Sequence, residues 1–235
     1  MGRSDAKVPA VATGSDTKGE RPSPLRARKQ QRARQQAIEA ASRIFRERGY
    51  DETSLEDIAN DAEMSVSSLL RYFGGKERLA LAHHIDHLES FRRHLAEADK
   101  PVLERWRAFI VDQASSLRSF NSYNEERQLI VSVPGLLRLL SRIQLDQQDE
   151  LAAGFAREAG VDPDEDLYGR LLAALLVAGN EAVYIQWLRS GGKRDLAAMC
   201  LAAVDFVAAR LGTRDAAAQE IPSLTPGGDT GDRVT

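Results

Sequence analysis

The chain has 235 residues, of which 43% are hydrophobic and 29% charged, and it contains a single cysteine. This balance excludes a wholly disordered chain, and one cysteine excludes an internal disulfide framework or a cysteine-rich zinc module. We see no uninterrupted apolar run near the roughly 20 residues that span a bilayer and no apolar signal-peptide core. We therefore expect a cytoplasmic protein.

The net charge of −3 is unevenly distributed along the chain. Residues 1–94 contain 17 Lys and Arg against 14 Asp and Glu, whereas residues 95–235 contain 15 against 21. One stretch of fourteen residues holds six basic side chains and no acidic one: Arg21, Arg26, Arg28, Lys29, Arg32 and Arg34. Such a block suits a polyanion, because each neutralised phosphate releases counterions. A solvated basic tail has the same composition, and we expect residues 1–27 to form a disordered basic arm.

Helical periodicity dominates the chain between its two ends, so the expected fold class is all-α with about nine helices. No alternating strand pattern appears. The helices are expected at residues 30–48, from 53, from 65 to the Gly74-Gly75 stop, and at 76–98, 101–119, 125–133, 134–160, 162–189 and 193–211.

The second and third expected helices form a tightly connected pair. The sequence Thr53-Ser54-Leu55-Glu56 has the spacing of a capping box, in which Thr53 bonds an early amide and Glu56 bonds back. Ser65 is expected to cap the third helix, where Leu69 and Phe73 lie four residues apart and point inward. Two helices that cross through a tight turn behind a first helix indicate a helix-turn-helix, whose second helix fits the major groove.

Several short patterns in this region belong together: Ala37-Ile38, Ala40-Ala41, Ile44-Phe45, Gly49-Tyr50, Thr53-Ser54-Leu55, Ile58-Ala59, Leu69 to Phe73, Lys76-Glu77 and Leu79. In combination they make residues 32–80 resemble the N-terminal domain of the TetR/AcrR family of transcriptional regulators. The resemblance implies a DNA-binding domain at 28–88 with its motif at 54–73. It also implies a helical ligand-sensing and dimerisation domain at 89–212, followed by a tail at 213–235 that we expect to be disordered.

The resemblance also assigns roles to individual side chains. It implies base contacts from Val66, Ser67 and Leu70, and either kind of contact from Arg71. Contacts to the DNA backbone are expected from Ser54, Ser68, Tyr72 and Lys76, and the full candidate set also includes Ser65, Arg28 and Arg32. Simpler roles remain open: Tyr72 packing on the first helix, and Ser54 and Ser65 only starting helices. Lys76 is expected to bind phosphate, because no packing role for its ammonium is evident from the sequence.

The sequence departs from the family pattern at two positions. The turn normally has Gly followed by a small apolar residue, whereas this chain has Ala62-Glu63-Met64. A left-handed backbone at a non-glycine residue there costs about 1–2 kcal/mol. The recognition helix normally carries an aromatic residue where this chain has Leu70, which can pack on a thymine methyl but cannot donate a hydrogen bond. These departures leave the operator sequence open.

A single helix-turn-helix reads few base pairs, so we expect a homodimer on a palindromic operator. In the family, the last two helices form a four-helix bundle across the two-fold axis. The corresponding helices here are apolar and rich in alanine, although they would also suit a subunit core. The expected interface residues are Leu171, Leu175, Ala178, Ala182, Leu201 and Val204.

The middle helices carry more apolar residues than short surface helices need. An ordinary helical core explains them, but the resemblance implies a mostly apolar effector cavity with a few polar anchors. The expected lining is Trp106, Phe109, Ile110, Leu117, Leu129, Ile130, Val133, Leu137 and Leu140. The stretch from Arg127 to Leu136 is further similar to a subgroup described as binding acyl-CoA-like ligands, which includes regulators of mycofactocin systems. This similarity implies phosphate contacts from Arg127, Arg138 or Arg142, unless those side chains are merely solvated.

Other functions have weaker support in the sequence. His83 and His87 are four residues apart, but His84 stands where a zinc hydrolase needs glutamate, so we expect a solvated or cavity-lining face and no metal. No glycine-rich phosphate loop is present and Cys200 lies among apolar residues, so we expect no enzyme and no cofactor. The expected function is a ligand-released repressor with an acyl-CoA-like or other hydrophobic effector. The alternative is a helical adaptor whose basic arm binds nucleic acid without sequence specificity.

Overall fold

The structure is a computed structural model that describes residues 24–117 and 120–220. Within these ranges the chain forms eleven α-helices and no strand, which confirms the all-α fold. The helices are α1 (Pro24–Arg48), α2 (Leu55–Asp61), α3 (Val66–Phe73), α4 (Lys76–Ala80), α5 (Ala82–Leu95), α6 (Val102–Ser116), α7 (Phe120–Ser132), α8 (Pro134–Ala159), α9 (Leu167–Arg189), α10 (Leu196–Leu211) and α11 (Arg214–Glu220).

The first four helices pack around their own apolar core. Ala37 and Ile44 of α1 are buried against Ile58 of α2 and against Leu69 and Phe73 of α3. This arrangement confirms that Leu69 and Phe73 point inward. Helix α3 ends at Gly74, whose φ of +79° is a left-handed conformation that glycine adopts without strain.

Several helix boundaries differ from the expected ones. Helix α1 begins at Pro24, so residues 24–27 of the expected arm are helical, while residues 1–23 lie outside the described residues. The expected helix 76–98 is broken at Leu81, whose side chain is fully buried in the N-terminal core. Part of the expected tail forms α11, and residues 221–235 lie outside the described residues. Helix α5 runs across the expected domain boundary at residues 88 and 89.

Helix α9 is the centre of the C-terminal domain. It packs between α8 and α10, and its Leu172 and Leu176 are buried with Phe91, Trp106 and Phe109 in one core. By length and composition alone this helix is apolar enough to cross a bilayer, and 33% of its most apolar stretch is buried within the chain. Its remaining apolar face is on the outside of the subunit.

A buried ion pair joins the start of α9 to α11. Asp166 caps α9 by accepting a hydrogen bond from the Gly169 amide at 3.0 Å. Its carboxylate pairs with both guanidinium nitrogens of Arg214, one of them at 2.9 Å, which attaches α11 to α9. The Asp166 side chain is only 2% exposed. We expect this pair to matter for stability, because losing one partner leaves a buried charge uncompensated.

Candidate DNA-binding surface and effector cavity

Helix α3 presents a solvent-accessible face opposite its buried one. Leu70 is 45% exposed, and Ser67 and Arg71 are also exposed. Val66, Ser68 and Tyr72 are half-buried at the edges of this face. Small hydroxyl groups, one guanidinium and one exposed leucine on a helix that fits the major groove can contact both base edges and phosphates.

The serines at the helix starts are caps as well as candidate contacts. The Ser65 hydroxyl accepts the Ser68 amide, and it lies 2.9 Å from the Ser67 hydroxyl. The capping box of α2 is one residue later than predicted: it uses Ser54 and Asp57, not Thr53 and Glu56. Thr53 is instead buried, and its hydroxyl donates to the Gly49 carbonyl at 2.6 Å.

The same capping box shifts the titration of its acid. Asp57 accepts hydrogen bonds from the Ser54 hydroxyl and backbone amide, and these bonds lower the pKa of the Asp57 carboxyl below its ordinary value. The cap therefore carries a carboxylate at the N-terminus of α2, where the helix dipole favours negative charge.

Lys76 has a packing role that the sequence did not reveal. Its Nζ donates to the carbonyls of Tyr50 and Thr53, both at 2.9 Å, and lies 4.2 Å from the centre of the Tyr50 ring. The side chain thereby ties the start of α4 to the loop between α1 and α2. The expectation that no packing role explains this ammonium was wrong, and a phosphate contact from Lys76 stays a prediction.

The turn between α2 and α3 contains the predicted strained residue. Glu63 has φ +52° and is the one non-glycine residue with positive φ among the described residues. The Glu63 amide donates to the Asn60 carbonyl and the Met64 amide to the Ala59 carbonyl, the double bond that ends a helix in a Schellman motif. The motif requires this conformation, whichever residue occupies it.

The described part of the basic block lies on α1. Arg28 and Arg32 are exposed and available for contact with a polyanion, whereas Arg21 lies outside the described residues. Arg34 is different, because its guanidinium makes a bidentate pair with Asp86 of α5 at 2.6 Å and lies over the Phe73 ring. Arg34 therefore joins the first helix, the recognition helix and the C-terminal domain.

Four of the nine residues expected to line the effector cavity are fully buried in the packed core. Trp106, Phe109 and Ile110 are each 1% exposed within the C-terminal core, and Ile130 is buried in the N-terminal one. Leu137 is on the surface. None of these five residues lines the groove or the two cavities described below, because periodicity identifies a buried face without showing whether atoms or space fill it.

The four other expected lining residues do border open space. Leu129 and Val133 line a groove of about 600 Å³ between α1 and α7. Leu117 and Leu140 line two adjoining cavities of about 80 and 60 Å³ that share His84, His87 and Tyr123. We call these two cavities together the chamber. It is bounded by α5, α6, α7, α8 and α9.

The walls of the chamber are mixed: the surface beside Leu117 is mainly apolar, whereas more polar than apolar surface lies beside Leu140. The chamber walls include the histidines 84 and 87, amides from α6, α8 and α9, and two tyrosines: His84, His87, Gln113, Gln144, Gln147, Asn180, Tyr123 and Tyr184. The histidine positions confirm a cavity-lining face, one of the two roles expected for them. The amides were missed, because a glutamine in an amphipathic helix gives no sequence signal that distinguishes a cavity wall from solvent.

Burial controls the titration of the chamber's histidines. It lowers the pKa of His87 to about 4 and also lowers the pKa of His84. The His87 ring is therefore neutral near pH 7, so its Nδ1 can accept from Gln113 Nε2 at 3.1 Å. On the other side, Glu126 lies 3.1 Å from the Nδ1 atom of His83. No cluster of three metal-ligating side chains occurs among the described residues.

The arginines expected to bind phosphates have carboxylate neighbours in two cases. Arg127 pairs with Glu181 at 2.5 Å, and Arg142 pairs with Asp146 at 2.9 Å. Arg138 is exposed on α8.

Cys200 is buried, and burial raises the pKa of its thiol to about 12, so the sulfur is protonated and a poor nucleophile near pH 7.

The predicted dimer residues lie mostly on the outer face of α9 and α10. Leu175, Ala178 and Ala182 are exposed along one side of α9, and Leu171 is half-buried nearby. On α10, Leu201 is half-buried. Val204 is 3% exposed and packs inside the subunit, so its assignment to the interface was wrong. Phe206, an apolar residue of the same helix, is 61% exposed.

Comparisons with known proteins agree with this arrangement. Residues 37–83 match the family described as bacterial regulatory proteins, tetR family, and residues 100–213 match the MftR C-terminal domain. The chain is 29% identical over 190 residues to the transcriptional regulator TcmR of Streptomyces glaucescens, covering 74% of this chain and 82% of TcmR. It is 25% identical to the repressor KstR2 of Mycobacterium tuberculosis over 169 residues, 68% of this chain and 82% of KstR2.

Solved structures share the fold at lower identity. The complex of SmeT with triclosan, a repressor from Stenotrophomonas maltophilia, has a TM-score of 0.57 and 17% identity, covering 87% of this chain and 99% of SmeT. FadR from Bacillus subtilis in complex with stearoyl-CoA has a TM-score of 0.53 and 20% identity, covering 74% and 96%. The named relatives are transcriptional regulators, a class without catalytic activity. The chain belongs to the TetR family of transcriptional regulators, with a TetR-type DNA-binding domain followed by an MftR-type C-terminal domain.

Proposed function

We propose that this protein is a repressor that binds a palindromic operator as a homodimer and is released by a small effector bound in the chamber. The observation that carries the proposal is the recognition helix, whose outer face exposes Ser67, Leu70 and Arg71 while Leu69 and Phe73 hold it in the core. The other candidate DNA contacts lie on α1, at the start of α2 and on α4, in the same domain as the recognition helix.

A dimer is supported by the apolar outer face of α9 and α10. Leu175 and Phe206 are 45% and 61% exposed, and alanines between them permit close approach of a second copy. Exposed apolar surface of this kind marks an interaction site. Two recognition helices about 34–36 Å apart would reach successive major grooves on one side of the duplex.

Coupling between the chamber and DNA is supported by helix α5. Its His84 and His87 line the chamber, while Asp86 between them holds Arg34 of the DNA-binding domain. A ligand that displaces α5 therefore displaces Arg34 and, through the Phe73 ring beneath it, the end of the recognition helix. A tenfold loss of operator affinity requires about 1.4 kcal/mol of coupling, which is common in allosteric proteins.

The effector expected from the C-terminal resemblance is acyl-CoA-like or otherwise hydrophobic. The MftR-type domain and the binding of stearoyl-CoA by Bacillus subtilis FadR support this class. The small size of the chamber argues against it, because an acyl chain would need the surrounding helices to separate. Direct titration decides between these arguments.

The proposal is tested by selecting bound sequences from random duplexes with the full chain and by measuring its mass in solution. We expect an inverted repeat and a dimer. Sequence-independent, salt-dependent binding by a monomer would instead support the adaptor alternative. Stearoyl-CoA is then titrated against the selected complex, and unchanged operator affinity removes acyl-CoA as the effector.

A further inference from the structure

The chamber has the size of a single substituted ring. Its two parts measure about 60 and 80 Å³ and share the walls formed by His84, His87 and Tyr123. An apolar cavity of about 150 Å³ in a protein core holds benzene, whereas pockets for drug-sized ligands occupy about 300–1,000 Å³. A single ring would therefore extend across both parts of the chamber, and a drug-sized ligand would need the five helices around it to separate.

Besides one carboxylate oxygen of Glu126, two buried polar atoms of the chamber wall, both on α9, lack a hydrogen-bond partner. They are the hydroxyl oxygen of Tyr184, whose side chain belongs to the buried core, and the amide oxygen of Asn180. These residues are four apart on α9 and so lie on one side of the helix. Buried polar groups are nearly always paired, so two unpaired atoms beside one cavity indicate a polar occupant. An occupant of the chamber can form hydrogen bonds with the Tyr184 hydroxyl and with the Asn180 amide oxygen.

A network behind these atoms fixes their orientation. The Asn180 amide nitrogen donates to Gln113 Oε1 at 3.4 Å, and Gln113 Nε2 lies 3.1 Å from Nδ1 of the neutral His87 ring. The Asn180 oxygen is thereby left as an acceptor for the occupant. This assignment of amide atoms corresponds to the His87 tautomer that is protonated at Nε2, in which Nδ1 accepts a hydrogen bond.

The charges around the chamber do not suit an anion. Among the described residues, the walls contribute the carboxylates Glu126 and Glu181 and no lysine or arginine. Glu181 is already neutralised by Arg127, and Glu126 contacts His83. A phosphate or carboxylate entering the chamber would lie beside two acids without a free counter-charge, which disfavours its charged form.

We propose that the effector inserts a ring without negative charge, bearing at least one hydrogen-bond donor and one acceptor, into the chamber and bonds to Tyr184 and Asn180. An acyl-CoA thioester lacks such a group at the end of its acyl chain. The inference rests on the proposed function for the role of the chamber as effector site, but the binding step itself is measured without DNA.

The test uses two probes with the same ring and different charge: benzamide and benzoate. Their binding to the full chain is measured at pH 7 by protein-observed NMR titration. We expect benzamide to bind at least about tenfold more tightly than benzoate. Replacing Tyr184→Phe removes one hydrogen bond and should weaken benzamide binding about five- to tenfold.

A matched control removes a tyrosine hydroxyl outside the chamber. Tyr168→Phe deletes a hydroxyl that donates to the Gly212 carbonyl, and benzamide affinity should be unchanged. Asn180→Leu provides a second chamber variant if Tyr184→Phe is poorly folded. Tighter binding of benzoate than of benzamide, no binding of either probe, or benzamide binding that neither chamber variant weakens overturns the inference. Benzamide binding that leaves operator affinity unchanged leaves the inference standing and refutes release by an effector in the chamber.

Discussion

The side-chain contacts that cap the short helices of the DNA-binding domain differ in sequence range from those that pair polar groups inside the C-terminal domain. In the DNA-binding domain, Ser54 caps with Asp57 and Ser65 caps with Ser68, each pair three residues apart. In the C-terminal domain, Asp166 pairs with Arg214 and Asn180 bonds to Gln113, over separations of 48 and 67 residues. Local contacts specify short helices and their turns, whereas distant ones decide which polar side chains meet in the interior.

The largest expected effect tests the long-range ion pair of the C-terminal domain. Arg214→Ala leaves the Asp166 carboxylate buried without its cation, and we expect a loss of about 3–5 kcal/mol in the free energy of unfolding. Urea denaturation measures it. The control is Arg170→Ala, whose partner Asp164 is 94% exposed and whose loss should change stability by less than about 1 kcal/mol. Equal effects of the two substitutions would contradict the claim that burial gives the first pair its importance.

The same pair predicts a pH dependence. Its hydrogen bonds with Arg214 and Gly169 lower the pKa of Asp166 in the folded protein. Since the folded pKa lies below the unfolded one, the stabilisation is present above the unfolded value near 3.8 and is lost as the pH falls through the folded value. Acid denaturation curves should therefore show a smaller loss of stability at low pH in Arg214→Ala than in the parent protein.

The second effect concerns a contact of intermediate range in the DNA-binding domain. Lys76→Ala removes the ammonium that bonds the carbonyls of Tyr50 and Thr53, and it should lower the free energy of unfolding by about 1.5–3 kcal/mol. Arg32→Ala, at an exposed position of α1, should leave stability unchanged and reduce the salt dependence of DNA binding by about one charge. An unchanged stability of Lys76→Ala would show that Lys76 serves DNA alone.

Sequence separation also explains what the sequence could predict. The helix-turn-helix, the buried pair Leu69 and Phe73, and the strained turn at Glu63 follow from patterns within about ten residues, and the structure agrees with each. The packing of Lys76 and the polar side chains of the chamber depend on helices that meet only in the folded chain. Trp106 was expected at the cavity for the same reason: its apolar stripe was visible, but its neighbours were not.

A smaller effect is expected at the turn between α2 and α3, where backbone conformation and not a side-chain partner determines the change in stability. Glu63→Gly relieves a left-handed non-glycine residue and should raise the free energy of unfolding by about 1 kcal/mol. Glu63→Ala keeps the strained Cβ and serves as the matched control, with no gain expected. Thermal denaturation of both variants compares them. A gain in the alanine variant as large as in the glycine variant would attribute the effect to loss of the carboxylate.

The smallest effect on stability is expected on the recognition helix, where an exposed side chain is proposed to serve DNA binding and not the packing of the domain. Leu70 is 45% exposed, so Leu70→Ala should change the free energy of unfolding by less than about 0.5 kcal/mol. If the leucine packs on a thymine methyl, the variant should lose its preference at that base pair while its affinity for random duplexes stays the same. Selection from random sequences with both proteins measures the change. A uniform loss of affinity for all sequences would assign Leu70 to the backbone contacts and leave base reading to Ser67, Arg71 and their neighbours.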